Sequence, residues 1–155
     1  MIKRRSFLIL STVILLFGSL GGARAEEFGT RDDAKAMVEK AATFLKAQGK
    51  EKALAEFSNP KGQFIDRDLY IIAYSLDGIR LSHPYNPKLV GKTVTDVTDF
   101  DGKQYGLEII QTAKTKGTGW VDYKFTDPVT KKMADKSLYV QKVDDTILGC
   151  GIYKR

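Results

Sequence analysis

The side chains with the most chemical reach in this chain are few: one His, one Cys, one Trp and seven Tyr. Several of them fall in stretches rich in strand formers. Tyr70 and Tyr74 lie on one such stretch, His83 ends the next, Trp120 and Tyr123 share a third, and Lys136 and Tyr139 share a fourth. Residues two apart on a strand share a face. Tyr70, Ile72 and Tyr74 therefore point one way, Ile79, Leu81 and His83 form a second set, and Val121, Tyr123 and Phe125 form a third. Rings enclosing a few convergent donors are the usual make-up of a small-molecule pocket. Here the donors are His83, the Tyr hydroxyls and Lys136, and a cationic Lys among neutral donors suits a small carboxylate. A protonated His83 would hold an anion more strongly, so binding is expected to depend on pH. The same residues also fit a purely packed sheet. Aromatics on strands mostly make cross-strand contacts, His83 before Pro84 can hold a turn, and a Lys at a strand start is commonly solvated. On a regular strand Trp120 faces away from Tyr123, and only a bulge at Gly119 would turn it inward.

Other chemistries lack their residues. One Cys and one His cannot supply a zinc cluster, a disulfide framework or a redox pair. The run Asn86-Pro87-Lys88-Leu89-Val90-Gly91-Lys92-Thr93 approaches a phosphate loop, but Asn86 stands where the first glycine belongs. Asp99, Asp101, Gly102 and Glu108 match four positions of a calcium loop, yet Val97 occupies the first ligand position, and a surface turn explains the same residues. No Gly-x-Ser-x-Gly elbow occurs, and His83 as an acid or base has no nucleophile, metal set or cofactor motif beside it. The expectation is a binding protein, with no catalytic residues, no metal and no cofactor.

The elements that must position these residues follow from periodicity. Lys3, Arg4 and Arg5, an apolar run from Phe7 to Phe17, and Ala23-Arg24-Ala25 read as a secretory signal cleaved after Ala25. The remainder, residues 26–155, is expected to be one exported, periplasmic domain. The 25 basic and 19 acidic residues of the whole chain become 21 and 19 after the cut, too even a balance for a nucleic-acid face. Thr30-Arg31-Asp32-Asp33 opens a helix with a capping box, apolar residues recur at helical spacing to Leu45, and Gly49 ends it. A short helix, Lys50 to Phe57, follows. Residues 69–76 and 79–83 form a hairpin across Asp77-Gly78. A third helix spans about Lys103 to Lys114, a strand runs from Trp120 to Phe125, and Lys136 to Val143 pairs with Thr146 to Tyr153 across Asp144-Asp145. The order implies an α+β domain with one central antiparallel sheet. Cys150, alone in an oxidising compartment, is expected to be buried in the last strand.

The chain resembles a known family. Asp68-Leu69-Tyr70-Ile71, Leu76-Asp77-Gly78, Leu81-Ser82-His83-Pro84, Leu89-Val90-Gly91-Lys92, Gly117-Thr118-Gly119-Trp120-Val121-Asp122-Tyr123, Lys136-Ser137-Leu138-Tyr139-Val140 and Gly149-Cys150-Gly151-Ile152-Tyr153 together look like a single Cache domain of the second type. The resemblance implies a long N-terminal helix packed on a PAS-like antiparallel sheet, and an extracytoplasmic sensory pocket for a small ligand such as a short organic acid. It also implies a signalling role that resembles chemotaxis. Such domains usually sit between membrane helices and feed a chemoreceptor, kinase or cyclase. This chain shows neither a second membrane segment nor an output domain, so a free-standing version that hands its ligand state to a membrane-bound receptor or kinase is expected. The expected ligand-binding set is Tyr70, His83, Trp120, Tyr123, Lys136 and Tyr139. The alternative is an interaction module of an envelope complex with no small ligand of its own.

Overall fold

The structure is a computed structural model that describes residues 27–154, so the expected signal segment and its cleavage point lie outside the described residues. Helix α1 spans Arg31–Gln48, α2 Lys50–Phe57 and α3 Tyr105–Lys116. The strands are β1 (Ile65–Asp66), β2 (Leu69–Ser75), β3 (Arg80–Ser82), β4 (Thr118–Thr126), β5 (Met133–Val143) and β6 (Thr146–Tyr153). They form one six-stranded sheet in the order β1-β2-β6-β5-β4, with β3 also on β2, and every pairing is antiparallel. The α+β expectation holds, and β1 is an addition to it, too short to carry a periodic signal. Among the described residues no helix is long and apolar enough to cross a membrane.

The N-terminus of α1 forms as its residue types dictate. Thr30 Oγ1 accepts from Asp33 N at 3.1 Å while Asp33 Oδ2 accepts from Thr30 N at 3.0 Å, a reciprocal cap. Gly49, at φ 82°, ends α1 in a conformation that costs a residue with a Cβ. The stretch before α1 is fastened to the body: Gly29 N donates to buried Asp68 Oδ1 at 2.7 Å, and Arg67 bonds Phe28 O at 3.0 Å and Asp33 at 2.9 Å.

The sheet separates two cores. On one face α1 and α2 bury Val38, Leu45, Phe57 and Phe64 against Ile71, Leu148 and Cys150. On the other, α3 lays Ile109 and Ala113 over Tyr70, Ile72, Tyr74, Val121, Leu138 and Ile147. Strand β2 is apolar on both faces because it is covered on both. Cys150 is fully buried, as expected, with Sγ 3.7 Å from Met37 Sδ, and desolvation pushes its thiol up to about 12, which removes the reactive thiolate.

Candidate functional site

The hairpin of β2 and β3 decides which residues meet. A regular two-residue turn at Asp77-Gly78 would place Tyr74 opposite Leu81, but the register shifts between Ala73 and Tyr74, pairing Ala73 with Ser82 and Tyr74 with Arg80. Directly opposed residues share a face, so this bulge turns Arg80 toward the α3 side with Tyr74 and leaves Leu81 against the α1 core. His83, one residue past the strand, then lies against Tyr70 with ring centroids 5.4 Å apart. The expected set of Ile79, Leu81 and His83 is thereby corrected: one extra residue splits it, and Arg80 joins His83 instead.

Lys136 reaches the same place from β5. It is 2% exposed, and its Nζ donates to Tyr70 Oη at 3.0 Å. Four rings surround the ammonium, with centroids at 4.8 Å (Tyr70), 4.9 Å (Tyr153), 5.2 Å (Phe125) and 6.0 Å (Tyr123). Such contacts offset part of the cost of desolvating a cation. Glycine at position 151 permits the approach, since a Cβ there would lie 2.3 Å from Lys136 Cε. Tyr153 Oη donates to Thr126 O at 3.1 Å and lies 3.3 Å from Tyr70 Oη, which fixes both phenols around the ammonium. Tyr123 completes this wall and stacks on Tyr105 of α3 at 4.3 Å and an interplanar angle of 5°.

His83 is also fixed. Its Nδ1 accepts from Tyr85 N at 3.3 Å and Asn86 N at 3.1 Å, which leaves Nε2 as the N–H donor. Burial, then the positive charges of Lys136 and Arg80, push its pKa from 6.5 down to about 3. This corrects the expectation of pH-strengthened binding: at neutral and mildly acidic pH His83 is a neutral donor. The unfolded chain takes up a proton that the folded chain refuses, so stability is expected to fall as pH drops from about 6.5 toward 3, by about 1.4 kcal/mol per pH unit. His83→Gln keeps an acceptor for the two backbone N–H groups and should flatten that acid limb in melts recorded between pH 4 and 7. An unchanged slope would remove His83 as its origin.

The structure thus gathers Tyr70, His83, Tyr123 and Lys136 on the α3 face, and does not bring Trp120 and Tyr139 to them. Strand β4 pairs with β5 without interruption from Thr118 to Thr126, so no bulge at Gly119 turns Trp120. Trp120 packs instead on the α1 side, 5.3 Å from the Tyr139 ring, with the Arg31 guanidinium 3.8 Å above its centroid. Sequence reasoning missed Tyr74, Arg80, Tyr105 and Tyr153. Tyr74 was legible from its spacing to Tyr70, whereas Arg80 depended on the bulge.

The turn at Asp99–Gly102 borders a surface depression of about 280 Å³ whose lining includes Tyr123 and Lys136. Asp99 accepts from Asp101 N at 3.0 Å and Lys103 N at 2.9 Å through Oδ1, and from Lys124 N at 3.0 Å through Oδ2, so its carboxylate pins the turn to β4.

Comparison with known proteins places this arrangement. Residues 25–155 match the family model described as Single Cache domain 2. The chain is 36% identical over 89 residues, 56% of its length, to the sensor histidine kinase MctS of Rhizobium johnstonii, and 30% identical over 90 residues, 57% of its length, to the methyl-accepting chemotaxis protein McpP of Pseudomonas putida. The matched part is 19% and 16% of those two proteins, so the chain spans under a fifth of either. Among solved structures, a methyl-accepting chemotaxis protein from Vibrio parahaemolyticus matches with TM-score 0.67 and 26% identity over 79% of this chain and 86% of that one. A Cache chemosensory domain solved for its carboxylic acid recognition matches with TM-score 0.63 and 26% identity over 80% and 88%. The helix on a PAS-like sheet and a family-model match over residues 25–155 agree: the chain belongs to the Single Cache domain 2 family.

Proposed function

We propose that this protein binds a small carboxylate between its sheet and α3, as the sensory component of a signalling route, and passes its ligand state to a separate membrane-bound receptor or kinase. The observation that carries this reading is Lys136: an ammonium buried to 2% exposure that forms no ion pair among the described residues. Leaving a buried charge uncompensated costs several kcal/mol. An ammonium has three donors, and Tyr70 Oη takes one of Lys136's. A carboxylate would take up another, accept from His83 Nε2–H, and rest its apolar part on the surrounding rings. The likeness to a domain solved for carboxylic acid recognition supports the ligand class, and the likeness to a kinase and a chemoreceptor supports the kind of partner. Residues 1–25, read as a signal, would deliver the domain to the periplasm. Binding is favoured over turnover because His83 Nδ1 is occupied by two backbone N–H groups, so the ring has no free base to offer.

A thermal-shift panel of short carboxylates, amino acids, amines and purines tests the proposal. A carboxylate at about 100 times its Kd should add roughly 2.7 kcal/mol and raise the midpoint by several degrees. Silence from every carboxylate would overturn the reading and favour a surface interaction module.

A further inference from the structure

Among the described residues, Lys136 is one of two cations buried on the α3 face. Arg80 is 5% exposed, forms no ion pair among the described residues, and its Nε has no hydrogen-bond partner there. Its guanidinium lies 5.4 Å from the Tyr74 ring centroid and neighbours the phenols of Tyr74 and Tyr105, neither of which carries a counter-charge. A buried donor left unmade is expensive, and a buried cation without a counter-charge more so. The two cations attach to different tyrosines of β2. Tyr70 and Tyr74 are four residues apart on one face, which is roughly 13 Å of strand. His83 lies against Tyr70 and feels both positive charges. The stacked Tyr123 and Tyr105 rings connect the two: Tyr123 faces Lys136, and Tyr105 neighbours Arg80.

We infer that the ligand is a dianion, a short dicarboxylate with one carboxylate on Lys136, Tyr70 and His83 and the other on Arg80 and the Tyr74 hydroxyl. This rests on the carboxylate reading above and extends it to the far end of the ligand. A monocarboxylate seated at Lys136 leaves the Arg80 charge without a counter-charge and its Nε without an acceptor. A second carboxylate answers both, because the guanidinium fork matches a carboxylate in geometry and charge. The aromatic stack covers the carbons between the two ends.

The test is calorimetric titration of the purified chain with malonate, succinate and glutarate, each paired with the monocarboxylate of equal carbon count: propionate, butyrate and pentanoate. The best dicarboxylate should bind at least about tenfold more tightly than its partner, and Arg80→Met should erase that margin. Tyr74→Phe, which removes only a hydroxyl and preserves the ring, should narrow the margin several-fold and serves if Arg80→Met does not fold. Equal affinity for the two members of every pair, or a margin untouched by Tyr74→Phe and Arg80→Met, would overturn the dianion and leave the carboxylate reading standing. No binding by any of the six would overturn both.

Discussion

Lys136→Met is expected to remove carboxylate binding and at the same time raise the thermal midpoint of the ligand-free chain. Both effects have one cause. The ammonium is 2% exposed, its four ring neighbours offer only partial compensation, and a single Tyr hydroxyl accepts from it. Replacing a buried charge by an apolar side chain of similar volume is often neutral or stabilising by about 1–4 kcal/mol. Methionine matches the unbranched stem that crosses Gly151 and would occupy the same ring-lined slot. Tyr70 Oη keeps Tyr153 Oη at 3.3 Å, so its hydroxyl is not orphaned. Affinity should fall by at least about 100-fold, or roughly 2.8 kcal/mol. Melting curves and calorimetric titration of the same preparation read both effects. A lower midpoint with retained affinity would mean that Lys136 is a structural cation.

The largest loss of stability is expected at Gly106, in the first turn of α3. A Cβ there would lie 1.7 Å from Val94 O and 2.5 Å from Val94 C, both backbone atoms of the segment that bonds back to Gly78. Neither atom can rotate away, so Gly106→Ala must push the helix off that segment. A cost of about 3 kcal/mol, at the upper end for overpacking, is expected. Displacing α3 would also tilt Tyr105 and open its 4.3 Å stack on Tyr123, so ligand affinity should fall with stability. Gly102→Ala is the control: φ is +82° but no atom lies within 4 Å, and about 1–2 kcal/mol of backbone strain is the whole expected cost. Equal melting points for the two variants in chemical denaturation and heating would contradict this account of how α3 is seated.

The elements were legible because their signals are local. The Thr30 capping box, Gly49 and the Asp77-Gly78 turn act within a few residues, and each lies where its chemistry demands. The α3 boundaries differ by two residues from expectation, starting at Tyr105 and ending before Gly117, since the N-terminus has no side-chain cap to announce it and Gly117, its C-cap, also introduces β4. The site was legible in half. Tyr70, Tyr123 and Lys136 follow from strand alternation alone, which also correctly separates Trp120 from Tyr123. Tyr139 was grouped with Lys136 although the two are three residues apart on one strand and so face opposite ways. Arg80 was hidden for a different reason. Its facing is set by one extra residue in β3, Leu81, between the partners of Ala73 and Tyr74, and a single slip in register exchanges the two faces of a strand. Nor could spacing show that His83 is neutral, because its environment is made by burial, by Lys136 reaching it from the distant β5, and by Arg80, which is near in sequence but turned by the bulge.

The most direct test of the central claim is a crystal structure of the chain grown with the carboxylate that gives the largest thermal shift. The account expects a carboxylate oxygen about 2.8 Å from Lys136 Nζ, on the α3 face of the sheet, with the Tyr70 hydroxyl and His83 Nε2 alongside. Density for the ligand beside Trp120 and Tyr139 on the α1 face, or only among the exposed charges around Asp101 and Lys124, would contradict it.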